Sequence, residues 1–257
     1  MLTIDLTGRV ALLLGGSRGI GAGIVMTLCR AGCTVFFTHT GNPRYRTKVE
    51  LLIEGIRKEN WRAKDFVLDA LDFEGIKRLA ENIVEEQGKI DILVCNVGKN
   101  LPRTVEEMGD EDWHTFIDIN LTSAYYGVRA VLPHMVKRRY GRIILIGSSA
   151  VYDGGGGAID YAAAKAGMTG MMKYLCRTYT RMGINTNIVH PCVIETDLLK
   201  ERYATREARS KLVSQIPVGR LGKPEDVAGM VAYLASSWGD YITGQEILLD
   251  GGRTIFR

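Results

Sequence analysis

Tyr161 and Lys165 stand four residues apart in Tyr161-Ala162-Ala163-Ala164-Lys165, a spacing that sets both side chains on one face of a helix. A free phenol titrates at about pH 10, too high for efficient acid–base work near neutrality. A nearby ammonium stabilises the phenolate and lowers that value. Such a pair suits proton delivery to a carbonyl oxygen as a hydride reaches the carbon. Taken alone, the same spacing also arises from ordinary helix surface packing. Ser148 adds weight because it ends the apolar run Ile143-Ile144-Leu145-Ile146. Its hydroxyl should emerge at the carboxyl edge of a strand, where open parallel sheets bind ligands.

A second constellation is Gly15-Gly16-Ser17-Arg18-Gly19-Ile20-Gly21, directly after the apolar run Val10-Ala11-Leu12-Leu13-Leu14 and before a helical stretch, Ala22 to Arg30. Glycines there permit a tight turn and let backbone N–H groups approach a pyrophosphate at a helix N-terminus. Turns use glycine for other reasons, so the position between strand and helix carries the nucleotide reading. Dinucleotide folds that take NAD commonly place an acid at the end of the second strand, on the ribose hydroxyls. Here Thr38, His39 and Thr40 occupy that place, and no acid follows until Glu50. Arg18, with Arg44 and Arg46 beyond, offers cations for a 2′-phosphate. Against this stands the reading of these arginines as solvated surface charge. The expectation is NADP(H), with NAD(H) second.

The spacing Gly-x3-Gly-x-Gly, with Ser148 thirteen residues before Tyr161 and Asn120 in Asp118-Ile119-Asn120-Leu121, resembles the short-chain dehydrogenase/reductase family. In texture it is nearest the 3-oxoacyl-(acyl-carrier-protein) reductases. The resemblance implies that Ser148 orients a carbonyl, Tyr161 exchanges the proton, Lys165 lowers the tyrosine pKa and holds the nicotinamide ribose, and Asn120 supports a water relay. It also assigns cofactor contacts to Gly15, Ser17, Arg18, Gly19, Ile20, Gly21, His39, Thr40, Asp69 after Phe66-Val67-Leu68, Asn96 and Gly98 in Cys95-Asn96-Val97-Gly98, and Pro191, Ile194 and Thr196 in Pro191-Cys192-Val193-Ile194-Glu195-Thr196. Four positions depart from the family pattern: Leu14 stands for a threonine that ties the loop to a neighbouring strand, Cys95 for asparagine, Val97 for alanine, and Cys192 for glycine. A competing reading is therefore a nucleotide-binding regulator without turnover.

These groups need a frame that brings them to one edge. Further apolar runs, Thr34 to Thr38, Asp91 to Cys95, Arg142 to Gly147, Ile184 to His190 and Glu246 to Leu249, alternate with helical patterns near residues 111–136, 158–182 and 224–236. Repeated β-α-β order implies an α/β fold, a Rossmann-type doubly wound parallel sheet with helices on both faces. No linker interrupts the 257 residues, so one catalytic domain is expected. The basic stretch Thr196 to Pro217 fits no crossover; Leu198, Leu199, Tyr203, Leu212, Val213 and Ile216 give it an apolar side, and it reads as a helical lid.

The remaining features bound the setting. With 46% hydrophobic and 24% charged residues the chain is of ordinary globular composition, and its formal charge of +4 is too small and dispersed to argue for nucleic acid. No run reaches the roughly 18 apolar residues of a membrane span. Met1 to Arg9 contains Asp5 and lacks the order of a secretory signal, so a cytoplasmic protein is expected. Cys29, Cys33, Cys95, Cys176 and Cys192 form no zinc-ligand spacing and read as buried free thiols. Pro133-His134-Met135-Val136-Lys137-Arg138-Arg139-Tyr140-Gly141-Arg142 resembles a basic stretch that meets an acidic carrier protein in the nearest relatives, and equally a solvated helix end. The substrate is expected to be a small molecule or an acyl thioester. The C-terminal segment Gly244 to Gly252 resembles a family interface, implying a homotetramer.

Overall fold

A computed structural model describes residues 3–255, so Met1 and Leu2 of the segment read for a leader lie outside it. Seven strands form one wholly parallel sheet in the order β3-β2-β1-β4-β5-β6-β7. They are β1 (Val10–Leu14), β2 (Thr34–His39), β3 (Ala63–Val67), β4 (Ile92–Cys95), β5 (Gly141–Ile146), β6 (Ile184–Pro191) and β7 (Glu246–Leu249). The helices are α1 (Gly19–Arg30), α2 (Arg46–Lys58), α3 (Phe73–Gln87), α4 (Asp110–Ile117), α5 (Ser123–Arg138), α6 (Ala150–Asp153), α7 (Ile159–Tyr179), α8 (Asp197–Arg202), α9 (Arg206–Ser214) and α10 (Pro224–Ala235). Strand order reverses between β1 and β4, which opens a crevice at their carboxyl ends.

The continuous apolar strands are explained by burial on both faces. Successive side chains point to opposite sides, so Leu13, Phe37, Val94 and Ile144 join one core with Ile24 and Leu28 of α1 and Val227 and Val231 of α10. Leu12, Leu14, Phe36, Leu93 and Ile143 join the other, with Ile76 of α3, Val131 of α5 and Met168 and Met172 of α7. Each fully buried Leu, Ile or Phe contributes roughly 1.5–3 kcal/mol. Leu14 points at α5, where Gly127 makes room: a Cβ there would come 2.6 Å from the Leu14 Cδ1. Among the described residues no helix is long and apolar enough to cross a membrane.

Three expectations are corrected by the geometry. The helical stretch near 111–136 is two helices joined by a π-helical turn, Asp118–Thr122, around the buried Asn120. The third strand lies at Ala63–Val67, three residues ahead of the run Phe66-Val67-Leu68, because it pairs with β2 from Ala63 onward. Cys29, Cys33 and Cys95 are buried free thiols, but Cys176 and Cys192 are only partly covered. The expected lid is helical, as α8 and α9, and Leu212 and Ile216 are buried beneath it; the side chain of Leu198 lies outside the described set.

Candidate active site

At the end of β1 the chain turns sharply: Gly15 has φ +85° and Gly19, the first residue of α1, has φ +52°. A Cβ at Gly21 would stand 2.1 Å from the Gly15 carbonyl oxygen, so helix and turn touch backbone to backbone. The missing threonine at position 14 is replaced from elsewhere. Thr38 on β2 accepts the Gly15 N–H on its hydroxyl at 3.2 Å, and its carbonyl accepts the Gly16 N–H at 2.9 Å. On the other side Asn96 donates its amide to the Gly15 carbonyl at 2.7 Å. Asn96, expected at the ribose, thus has its amide engaged in holding the loop.

The α1 N-cap residue Arg18 makes no side-chain capping bond, so the first-turn N–H groups keep their capacity for an anion. Thr196, N-cap of α8, comes close to the loop: a Cβ at Gly19 would lie 3.1 Å from the Thr196 methyl. Ser17 and Ile20 are half-buried within the same turn. The cradle of tight glycines, open amides and a facing threonine fits a dinucleotide diphosphate. Lys48 of α2 pairs with Asp197 at the start of α8, linking this side to the lid.

The arginines divide. The Arg18 guanidinium lies 4.2 Å from the Tyr45 ring centroid and that of Arg44 5.6 Å, a cationic cluster around one aromatic ring. Arg46 instead pairs with Glu50 at 3.0 Å, one helical turn on. The expectation of no acid at the end of β2 needs correction. His39 accepts the Gly41 N–H on Nδ1 at 3.1 Å, and its Nε2 meets the Asp65 carboxylate of β3 at 3.1 Å. Asp65 reaches the place across the sheet, which sequence order conceals. Thr40 is exposed. Asp69 is exposed in a turn, accepting the Leu71 N–H at 2.9 Å.

The four expected catalytic side chains converge beside this crevice. The Asn120 amide donates to the carbonyls of Lys99 (2.8 Å) and Phe116 (2.9 Å), and its oxygen accepts the Lys99 N–H at 3.1 Å. These bonds explain the π-helical turn: Asn120 ties α4 to the segment after β4. A Cβ at Gly98 would come 3.0 Å from Asn120 Oδ1 and 3.3 Å from Lys165 Nζ, so a larger residue would have to push both side chains aside. Ser148 follows β5 by two residues, its hydroxyl accepting the Ala150 N–H at 3.2 Å and lying beside the Tyr161 phenol. Tyr161 and Lys165 lie one turn apart on α7, the ammonium 5.8 Å from the ring centroid.

The electrostatics differ from expectation. Burial pushes the Tyr161 phenol above its ordinary value, with the Ser148 hydrogen bond opposing. Lys165 does not offset this, because its ammonium turns to the Ile146 carbonyl at 3.0 Å and burial lowers its own pKa to about 8. Behind Tyr161, the buried Asp160 accepts the Tyr161 N–H at 2.5 Å and pairs with Arg103 at 3.2 Å. Pro191 and Ile194, both buried, complete the far wall, with Ile194 bridged to Gly222. Cys192 faces Arg253, sulfur to Nη1 at 3.4 Å. The basic stretch at the end of α5 lies at the opposite edge of the sheet and is largely engaged: Arg138 with Asp91 (3.1 Å), Arg142 with Asp240, and Arg139 with the Arg181 carbonyl (2.9 Å).

Comparison with known proteins identifies the family of the fold. Residues 15–254 match a family model described as enoyl-(acyl carrier protein) reductase. The chain is 38% identical over 249 residues to the 3-oxoacyl-(acyl-carrier-protein) reductase FabG of Escherichia coli K12, covering 97% of this chain and 98% of that one. It is 34% identical to FabG of Thermotoga maritima over 250 residues, covering 97% and 99%. Among solved structures, a short-chain dehydrogenase/reductase from Serratia marcescens superposes with a TM-score of 0.88 at 31% identity, over 97% and 99% of the two chains. A dehydrogenase/reductase from Sinorhizobium meliloti 1021 gives 0.88 at 32% identity, over 98% and 97%. The chain belongs to the short-chain dehydrogenase/reductase family. It is an oxidoreductase that acts on carbonyl and hydroxyl groups with a nicotinamide cofactor.

Several residues of this site had no signal in the sequence. Thr38, Tyr45 and Asp65 meet it only through tertiary packing. The signal for Thr38 was its place at the end of β2, a strand that also carries Thr34 and His39, and nothing in it pointed to the Gly15 N–H.

Proposed function

We propose that the protein is an NADP(H)-dependent reductase of ketones, residues 1–257 forming one catalytic domain, with 3-oxoacyl thioesters as its substrate class. The observation that carries this reading is the placement of the Ser148 hydroxyl beside the Tyr161 phenol at the carboxyl edge of the sheet. It sets two O–H groups together where one carbonyl oxygen takes both. When bound, the nicotinamide supplies or accepts the hydride. Ser148 orients the carbonyl, and Tyr161, kept protonated by burial, gives its phenolic proton to the oxygen. Lys165, one turn along α7 with its ammonium 5.8 Å from the Tyr161 ring centroid, binds the nicotinamide ribose. Asn120 keeps the Lys99 segment and α4 in place for a water path. Gly15, Ser17, Arg18, Gly19, Ile20, Gly21 and Thr196 hold the diphosphate. Arg18 and Arg44 around Tyr45 favour a 2′-phosphate.

The test is oxidation of NADPH by purified protein with a panel of ketones and 3-oxoacyl thioesters. The panel includes an enoyl thioester, since the matching family model is described by enoyl reduction. Turnover of the oxo compounds alone supports the reading. Turnover of the enoyl compound alone replaces it, and NADPH binding without turnover of either leaves a regulator. The relatives named for an acyl carrier protein favour a carrier-bound substrate. The basic end of α5 does not, because its cations serve internal pairs. A homotetramer in the cytoplasm follows from family likeness, and light scattering at micromolar concentration checks the mass.

A further inference from the structure

Behind Ser148 lies a buried polar group that the proposed chemistry does not use. His190, on β6, is fully buried. Gly147 makes its space: a Cβ there would stand 2.4 Å from His190 Nδ1. Nδ1 lies 3.1 Å from the Ser148 nitrogen and 3.0 Å from the Ser148 carbonyl oxygen. The other ring nitrogen faces Glu246 of β7 at 3.5 Å. The same carboxylate oxygen accepts the Tyr152 hydroxyl at 3.4 Å and that of Thr169 at 3.3 Å, while Lys173 holds the other oxygen at 2.9 Å. The Tyr152 ring stands edge-on to the imidazole at 5.4 Å.

One nitrogen cannot donate and accept at once. In the neutral ring one nitrogen carries the proton, and the hydrogen bond at the other decides which. Glu246 lies 3.5 Å from Nε2, at ion-pair distance rather than in a formed hydrogen bond, and its negative charge favours the proton on Nε2, leaving Nδ1 to accept the Ser148 N–H. We propose that neutral His190 is a positioning residue for Ser148, gripping its peptide N–H with the tautomer selected by Glu246. Protonation reverses the grip: Nδ1 becomes a donor, bonds the Ser148 carbonyl, and releases the N–H. The inference rests on the catalytic reading of Ser148.

The groups facing the ring are Glu246 from β7 and Lys165 from α7, with Tyr152 of α6 and Lys173 of α7 acting through Glu246. Burial and Lys165 hold His190 below its ordinary histidine value, against Glu246 and the Ser148 carbonyl. The gripping form is therefore resident at neutral pH and lost on the acid side.

The test compares kcat across pH, the NADPH KM, and the ring titration of His190 by NMR in native protein and four variants. His190→Ala should lower kcat by about tenfold or more with little change in the NADPH KM. His190→Asn, which restores an acceptor near the Nδ1 position, should recover most of the loss and abolish the acid limb that His190 contributes. Glu246→Gln should move the NMR titration and that limb to lower pH, because it removes a carboxylate that favours the cation. An Ala or Asn variant with native kcat and a native acid limb overturns the proposal, as does an unmoved titration in Glu246→Gln. If the Ala variant fails to fold, the Asn variant and the titration decide. Ser148→Ala separates the layers: native turnover there removes the catalytic reading and this inference together. Its loss, beside an unchanged Asn profile, removes this inference alone.

Discussion

The Lys165 ammonium lies 3.0 Å from the Ile146 carbonyl, the strand residue two before Ser148. The helix lysine is thus fixed to the strand that ends in the serine. One hydrogen bond sets the register between the proton donor's helix and the carbonyl-orienting hydroxyl.

Burying that ammonium costs stability. An ammonium with only 3% residue exposure, whose pKa falls to about 8, is protonated more readily in the unfolded chain. Stability then rises with pH where the unfolded state binds more protons, here from about 8 toward the ordinary lysine value. Lys165→Met should stabilise the cofactor-free protein at pH 7, by on the order of 1–3 kcal/mol, while removing turnover and weakening NADPH binding. Urea unfolding at pH 7 and pH 10 checks it: the variant's advantage should shrink at pH 10. A variant less stable than native at pH 7 would show that the ammonium is a net stabiliser.

Tyr161→Phe should leave NADPH affinity within about threefold, yet remove nearly all kcat, since proton transfer contributes roughly 10²–10⁴-fold. Because burial raises the phenol's pKa, carbonyl reduction should stay level through neutral pH. Alcohol oxidation, which needs the phenolate, should climb on the alkaline side. Opposite trends in the two directions would contradict the assignment.

Arg18 and Arg44 flank Tyr45 where a 2′-phosphate would lie. We expect kcat/KM for NADPH at least about tenfold above that for NADH, one charge-assisted contact being enough for this. Arg18→Ala should erase most of the gap. His39→Asp should shift preference toward NADH, by adding a second carboxylate beside Asp65 that repels the phosphate. Equal use of both cofactors by the native protein would return these arginines to surface charge.

Thr38 replaces the tie that Leu14 cannot make. Thr38→Val removes the acceptor for the Gly15 N–H and leaves the strand's apolar packing intact. It should raise the NADPH Kd by about tenfold and change stability by roughly 1–2 kcal/mol. A titration of intrinsic fluorescence with NADPH measures the first and thermal unfolding the second. Unchanged affinity would mean that Asn96 and the Thr38 carbonyl hold the loop without the hydroxyl.

Most of the sheet was legible because doubly buried parallel strands must be apolar throughout; the edge strand β3, which carries Lys64 and Asp65 and is only partly covered, was misplaced for lack of that pattern. The loop from Gly15 to Gly21 and the pair Tyr161–Lys165 were legible for a related reason: their spacing is local to one turn or one helix. What stayed hidden depends on neighbours distant in sequence. Asp65 meets His39 through the β2–β3 register, and Thr38 meets Gly15 across two strands. Asn120 turns a continuous helical pattern into a π-helical joint through bonds to Lys99 and Phe116. The pKa of Tyr161 ran opposite to the local argument because burial and the turned-away Lys165 outweigh nearness on the helix.

The space that Gly147 leaves for His190 has a consequence for how this chain can change. With a Cβ only 2.4 Å from Nδ1, an alanine at position 147 is excluded while the imidazole is in place. A smaller residue at 190 lifts that exclusion, leaving Ile188 Cδ1 at 3.0 Å, a side-chain end that has to give by a few tenths of an ångström. Substitutions at the two positions are therefore ordered: 190 must shrink before 147 can grow. A double variant, His190→Ala with Gly147→Ala, should be more stable than Gly147→Ala alone, so a substitution harmful in one background becomes a rescue in another.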